Sequence, residues 1–260
     1  MKQNVIEVRD LSYDINGTRI LSDISVAVDA HEFVGLIGPN GSGKSTLLKN
    51  IYRHFTPLKD TIFLNGKDVT AMRSREIAKQ MAIVAQENNP DFDFSVQEMA
   101  MLGRYAHKKI FEKDNADDFD AVERALRIVG MEHRKERSFL SLSGGEKQRI
   151  YLAMAFAQES ELIILDEPTN HLDIGYQLSM METLRQYEGR TIFTSVHDMN
   201  LAAWYCDRII MLDEGRVVAQ GTPEEVLTTE KIREIFHVNT RITRREEDGK
   251  LEVSYLSYRK

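Results

Sequence analysis

The chain has 260 residues, 42% of them hydrophobic and 29% charged, with a formal net charge of -7. That length fits one large domain, or a domain with a subdomain, around a substantial core. The acidic balance argues against general nucleic-acid binding, which calls for a basic surface. A lone cysteine, Cys206, excludes an intrachain disulfide or a multi-cysteine metal site and points to a reducing compartment.

The opening stretch "MKQNVIEVRD" carries no apolar signal segment. No apolar run anywhere approaches the roughly 20 residues that span a bilayer. Ile6, Val8 and Leu11 alternate toward an Asn16-Gly17 turn, and a second run follows from Ile20 to Val28. This pattern predicts two antiparallel strands. Four short apolar runs then end at polar or glycine-rich residues. Phe33 to Ile37 runs into "GPNGSGKST", Met81 to Ala85 ends at Gln86, Leu162 to Leu165 ends at Asp166-Glu167, and Thr191 to Val196 ends at His197. Unbroken apolar runs suit strands of a parallel sheet covered on both faces, whose ligands sit at the carboxyl ends of the strands. The four runs therefore predict one sheet edge lined with polar groups.

Between about Glu87 and Gln158 the pattern is mostly helical. Val122, Ala125, Leu126 and Val129 recur at helical spacing after an aspartate-rich start. "NNPDFDFS" (88–95) reads as an exposed connector into this block. Near the end, Arg208 to Leu212 and Val217 to Ala219 flank "DEG" as a hairpin, and Thr222-x-x-Glu225 is a capping box before a helix.

Gly38 to Ser45 fits G-x-x-x-x-G-K-[ST], preceded by a strand and continued by a helix. In that context Pro39, Asn40, Gly41, Ser42 and Gly43 turn their backbone N–H groups around phosphates. Lys44 reaches the β- and γ-phosphates, and Ser45 holds Mg²⁺. Asp166, at the end of a buried strand beside such a loop, reads as a Mg²⁺ ligand, direct or through water. Glu167 projects differently and is placed to polarise a water for attack on the γ-phosphate. Gln86 and His197 are weak signals alone and stronger on a shared edge. Gln86 is placed to touch Mg²⁺ or the attacking water, His197 to donate to the γ-phosphate.

"LSLSGGEKQR" (140–149) raises a separate question. Ser143-x-x-Glu146 is a capping box, and Ile150, Ala153, Met154 and Ala157 give the helix a buried face. A cap does not need Gly144-Gly145, each costing up to about 1 kcal/mol relative to alanine in a helix. Close approach of backbone to a phosphate does need them.

Together these elements resemble the ATP-binding subunit of ABC transporters. The resemblance spans nearly the whole chain and rests on six ordered motifs. They are "GPNGSGKST" (Walker A), Gln86 (Q-loop), "LSGGE" at 142–146 (signature), "LIILDE" (Walker B), "NHLD" at 170–173 (D-loop) and His197 (switch histidine). It implies an α/β P-loop NTPase of ABC type. Its core is a mixed sheet with an N-terminal antiparallel β-subdomain and an inserted helical subdomain. The expected organisation is a single domain over 1–260, with a catalytic core from 1–86 and 160–260 and the helical subdomain at 87–159. The resemblance further implies a head-to-tail homodimer that sandwiches two ATP molecules. Ser143, Gly144 and Gly145 of one copy then face the γ-phosphate held by the other, Asp173 reaches across, and Thr46 contacts the α-phosphate. ATP and Mg²⁺ are the implied cofactors. Two integral-membrane permease subunits, and indirectly an extracytoplasmic substrate-binding protein, are the implied partners, with no nucleic acid. The implied location is the cytoplasmic face of the cell membrane, held there through the permease.

One departure concerns adenine, which the family stacks on an aromatic near the N-terminus. The usual position falls at Ile15, with Tyr13 two residues earlier on the same strand face. Adenine packs on Ile15, on Tyr13, or on both. "FDFSVQEMAMLGRYAH", "EPTNHLDIGYQ" and "GTPEEVLTTEKIREIF" resemble the ATPases of importers for ferric siderophores, haem and cobalamin. Phe92, Phe94, Met99 and Met101 form either a permease-docking groove or part of the helical core.

Overall fold

The computed structural model describes residues 4–85, 92–109, 111–170, 172–187 and 189–256. In chain order the elements are β1 (Asn4–Ile15), β2 (Thr18–Asp29), β3 (Phe33–Ile37), α1 (Lys44–Ile51), β4 (Ile62–Leu64), β5 (Lys67–Asp68), α2 (Ser74–Ala78) and β6 (Met81–Val84). Then come α3 (Val96–Met101), α4 (Ala116–Ile128), α5 (Gly144–Ala157), β7 (Leu162–Leu165), α6 (Ile174–Gln186) and β8 (Thr191–Ser195). The chain ends with α7 (Met199–Tyr205), β9 (Arg208–Asp213), β10 (Arg216–Gly221), α8 (Pro223–Val226), α9 (Thr229–Phe236), β11 (Thr240–Arg244) and β12 (Leu251–Tyr255). Two compact units result. One comprises Met1–Met72 with Thr191–Lys260, the other Arg73–Arg190.

In the first unit β1 and β2 pair antiparallel, closed by Asn16-Gly17 with φ of 50° and 79°. Positive φ at both central residues is what a tight hairpin turn needs. A four-stranded antiparallel sheet forms in the order β2-β1-β4-β5. Ile6, Val8 and Leu11 of β1 and Ile24, Val26 and Val28 of β2 are buried, so the alternation did mark the core face. Against this stands a mixed arrangement in the order β10-β9-β3-β8. Here β3 runs parallel to β8 and β9, and β9 turns back into β10 at Glu214-Gly215. All five residues of β3 are buried, each large apolar one contributing roughly 1.5–3 kcal/mol of transfer free energy.

The tail differs from expectation. The capping box at Thr222 and Glu225 is present, with the Thr222 N–H donating to Glu225 Oε2 at 2.8 Å. It opens the short α8, and a second cap at Thr228 restarts the chain as α9. A final hairpin, β11 with β12, packs on α7. Trp204 Nε1 donates to the Leu251 carbonyl at 2.9 Å, and the Asn200 side chain makes reciprocal bonds with the Val253 backbone at 2.7 and 3.1 Å.

In the second unit β6 and β7 pair parallel in register from Met81↔Leu162 to Val84↔Leu165. Helices α3, α4 and α5 pack on one another, with Val122, Ala125 and Leu126 of α4 and Ile150, Ala153 and Ala157 of α5 buried. The helices at 87–159 thus share a unit with β6, β7 and α6, and the divisions fall at 72/73 and 190/191. Gln158 ties the end of α5 to β6, its side-chain amide donating to the Ala78 and Met81 carbonyls. Beside it lies a buried ion cluster. Arg104 pairs with Asp118 at 3.0 Å and with Glu159 at 2.7 Å, and Lys108 also pairs with Asp118 at 3.1 Å. Burial works to raise the Asp118 pKa, but hydrogen bonds from Arg104, Asn115 and Lys108 outweigh it and hold the carboxyl below its ordinary range. Asp118 is the carboxylate that Arg104 and Lys108 share, so removing it is the most costly loss in the cluster, on the order of 3 kcal/mol.

Candidate nucleotide site

After β3 the chain turns through Gly38, φ 155°, and reaches α1 through Gly43, φ 102°. Neither position admits a side chain. A Cβ at Gly38 would lie 2.2 Å from the Leu212 carbonyl oxygen, and one at Gly43 would lie 2.7 Å from Leu21 Cδ2. Gly43 is the N-cap of α1 and brings no side-chain cap, and the partial positive charge of a helix start favours an anion there. Lys44 is 4% exposed, and its Nζ donates to the Gly38 and Pro39 carbonyls at 2.8 and 3.0 Å. The Ser42 hydroxyl is buried and has no hydrogen-bond partner. A buried polar group of this kind costs free energy unless something bonds it. Buried ammonium, unpartnered hydroxyl and open helix start together make an anion seat.

His197 leaves the sheet beside this loop. Leu36 is in register with Ser195, and the Val196 N–H donates to the Leu36 carbonyl at 3.0 Å. His197 is exposed, and Asp198 after it caps α7 by accepting from the Asn200 and Leu201 N–H groups at 2.7 and 3.1 Å.

In the second unit Asp166 follows β7, with its N–H donating to the Val84 carbonyl at 3.0 Å. It is 2% exposed. Gln86, expected beside it, lies outside the described residues, as does the first half of the connector, 88–91. Glu167 sits at φ 53°, a left-handed conformation that costs a non-glycine residue on the order of 1 kcal/mol and clusters at active sites. The Asn170 side-chain amide donates to Glu167 Oε2, and the Asn170 N–H to the Glu167 carbonyl at 3.2 Å. That hold on Glu167 was not foreseen.

Asp173 is exposed and caps α6, accepting from the Tyr176 N–H at 3.0 Å. Ser143 and Glu146 form the expected box at the start of α5. The Ser143 N–H donates to Glu146 Oε2 at 2.9 Å, and the Glu146 N–H to Ser143 Oγ at 3.4 Å. That Ser143 N–H, with the Arg134 guanidinium near it, holds the Glu146 carboxyl below its ordinary value. The box leaves out the N–H groups of Gly144 and Gly145.

The Tyr13 ring stacks on Phe55 with centroids 5.3 Å apart, so one of its faces is occupied from within the chain. Met99 and Met101 are buried in the helical core, whereas Phe92 is exposed and Phe94 half-buried. Core packing accounts for the methionines. Among the described residues no three or more His, Cys, Asp or Glu side chains group to hold a metal, and no helix is long and apolar enough to cross a membrane.

Residues 21–170 match the family model described as ABC transporter. The chain belongs to the ABC transporter family. Its class is that of an ATP-binding subunit, an ATPase coupled to transport. Ferric enterobactin transport ATP-binding protein FepC of Escherichia coli K12 is 37% identical over 220 residues, covering 84% of this chain and 81% of the relative. Cobalamin import ATP-binding protein BtuD of Halobacterium salinarum is 38% identical over 234 residues, covering 89% of this chain and 58% of that longer protein. Among solved structures, a chain of an ABC transporter assigned to the metal-chelate type, in an inward-facing conformation, superposes with a TM-score of 0.84. It is 25% identical, with 99% of this chain and 98% of that chain covered.

Proposed function

We propose that this chain binds and hydrolyses Mg-ATP to energise import of an iron chelate, siderophore or haem, or of cobalamin, through a separate membrane permease. The observation that carries the reading is the anion seat: buried Lys44, the unpartnered Ser42 hydroxyl and the open start of α1. The relatives' names, ferric enterobactin and cobalamin, support the cargo class.

The seat takes the ATP phosphates. Lys44 neutralises the β- and γ-phosphates, the backbone from Pro39 to Gly43 lines the seat, and Thr46 meets the α-phosphate. Mg²⁺ fits the donors present: the Ser45 hydroxyl and the Asp166 carboxylate are hard oxygens. Mg²⁺ is ordinarily held by one or two protein oxygens plus substrate phosphates rather than by a protein cage. When bound, it neutralises charge that develops between the β- and γ-phosphates. Glu167, fixed by its backbone and by Asn170, orients the attacking water. His197 donates to the γ-phosphate, and Gln86 touches the metal or the water. The adenine ring packs on Ile15 and on the open face of Tyr13. Two copies close head to tail, so that Ser143, Gly144, Gly145 and Asp173 of each complete the other's site. Two permease subunits at the cytoplasmic face of the membrane receive the motion, and an extracytoplasmic binding protein delivers cargo.

The test is reconstitution with candidate importer permeases and their binding proteins. ATPase activity rises on adding the matching ferric chelate, haem or cobalamin. Stimulation by zinc, manganese or an amino acid instead would replace the cargo assignment. Failure to associate with any permease would replace transport with a soluble role.

A further inference from the structure

The two glycines of the signature differ in their surroundings. A Cβ at Gly144 would meet nothing within 4 Å, whereas one at Gly145 would come within 2.9 to 3.0 Å of three atoms of the Tyr176 ring. One turn further along α5, the Arg149 guanidinium sits 5.0 Å from the centre of the same ring. Gly145 and Arg149 are four residues apart and share one face of the helix, so the ring lies along the first turn of α5. The backbone of Tyr176 is tied elsewhere: its N–H donates to Asp173 Oδ1 at the start of α6. A single residue thereby links the helix start that follows Ser143 to the one capped by Asp173.

We propose that Tyr176 is a positioning residue. It holds the segment Ser143–Gly145 in fixed register with Asp173, so that both elements meet the ATP of a second copy together. Gly145 is glycine in part to let the ring lie flat against the helix, which is a reason internal to one chain. The inference rests on the head-to-tail dimer proposed above.

The test uses the full-length chain carrying Glu167→Gln, with ATP-driven dimerisation followed by sedimentation velocity and ATP binding to the monomer by calorimetry. Tyr176→Phe keeps the ring and dimerises like the parent. Tyr176→Ala and Gly145→Ala each weaken ATP-driven dimerisation by about tenfold, the scale expected when a contacting group is displaced by a fraction of an ångström. ATP affinity of the monomer is unchanged in each, and circular dichroism shows the fold retained. The variant with both Gly145→Ala and Tyr176→Ala is no weaker than Tyr176→Ala alone, because the added methyl then has room. Additive losses in that pair, or undiminished dimerisation of Tyr176→Ala, overturn the proposal and leave the dimer standing. A parent that forms no dimer with ATP overturns the dimer reading, and the proposal with it.

Discussion

Two helices of this chain begin beside glycines, and they begin differently. At α1 the N-cap is Gly43 itself, no side chain caps the helix, and the first helical residue is a buried lysine. At α5 the N-cap is Ser143, the capping box is complete, and Ser143 and Gly144 are exposed. The first start has no side-chain cap and sits beside the buried ammonium of Lys44. The second is capped from within the chain; Gly144 is exposed, while Gly145 lies against the Tyr176 ring. In the dimer proposed above, the first start would seat the phosphates of the chain's own ATP and so needs no protein cap. The second would meet a phosphate only when two chains close, and its cap holds its shape in between.

The sharpest way to break this contrast is to stop the chemistry and keep both helix starts intact. Glu167→Gln is expected to lower kcat by about 10²–10⁴-fold, the range for loss of a general base, with ATP affinity retained and a dimer accumulating in gel filtration. Normal turnover would remove Glu167 from its role. Next, Lys44→Ala empties the first start of its cation and is expected to weaken ATP binding by roughly 10–100-fold in calorimetry, as for a lost charged hydrogen bond. Unchanged affinity would contradict the anion seat. A mixture of Lys44→Ala and Ser143→Arg chains separates the two starts. One composite site of their heterodimer carries neither change, so an ATP-bound heterodimer forms while each variant alone stays monomeric. The smallest effect belongs to the cap. Ser143→Ala costs about 1 kcal/mol, or roughly 2–4 °C in Tm for a chain of this size. Because the Glu146 carboxyl is held below its ordinary value of 4.5, its part of the cap is fully present above that value. It is lost as pH falls below 4.5 through the lower folded value. A cap contribution that grew on acidification would overturn the assignment.

What the sequence disclosed was what its local chemistry dictates. The phosphate loop, the strands at 33–37 and 162–165, the turn at Asn16-Gly17 and the boxes at Ser143 and Thr222 each depend on residues within a single run of eight or fewer. The missed features depend on distant partners. The β11–β12 hairpin carries Arg and Glu along its strands and a charged turn, which hides the alternation. Its hold on the fold comes from Trp204 and Asn200, about fifty residues earlier. Strands β4 and β5 are three and two residues long, too short for a period to show. The internal reason for Gly145 required Tyr176, and the grip on Glu167 required its left-handed backbone, which no composition announces.

The position of β3 also bears on the order in which the protein is made. The strand that launches the phosphate loop is complete at residue 37, yet its two neighbours, β8 and β9, are residues 191–195 and 208–213. A nascent chain therefore carries the entire loop sequence until residue 191 is made with no strand on either side to hold it. Its fully apolar β3 stays open to wrong pairing meanwhile. Leu212, whose carbonyl backs Gly38, arrives later still.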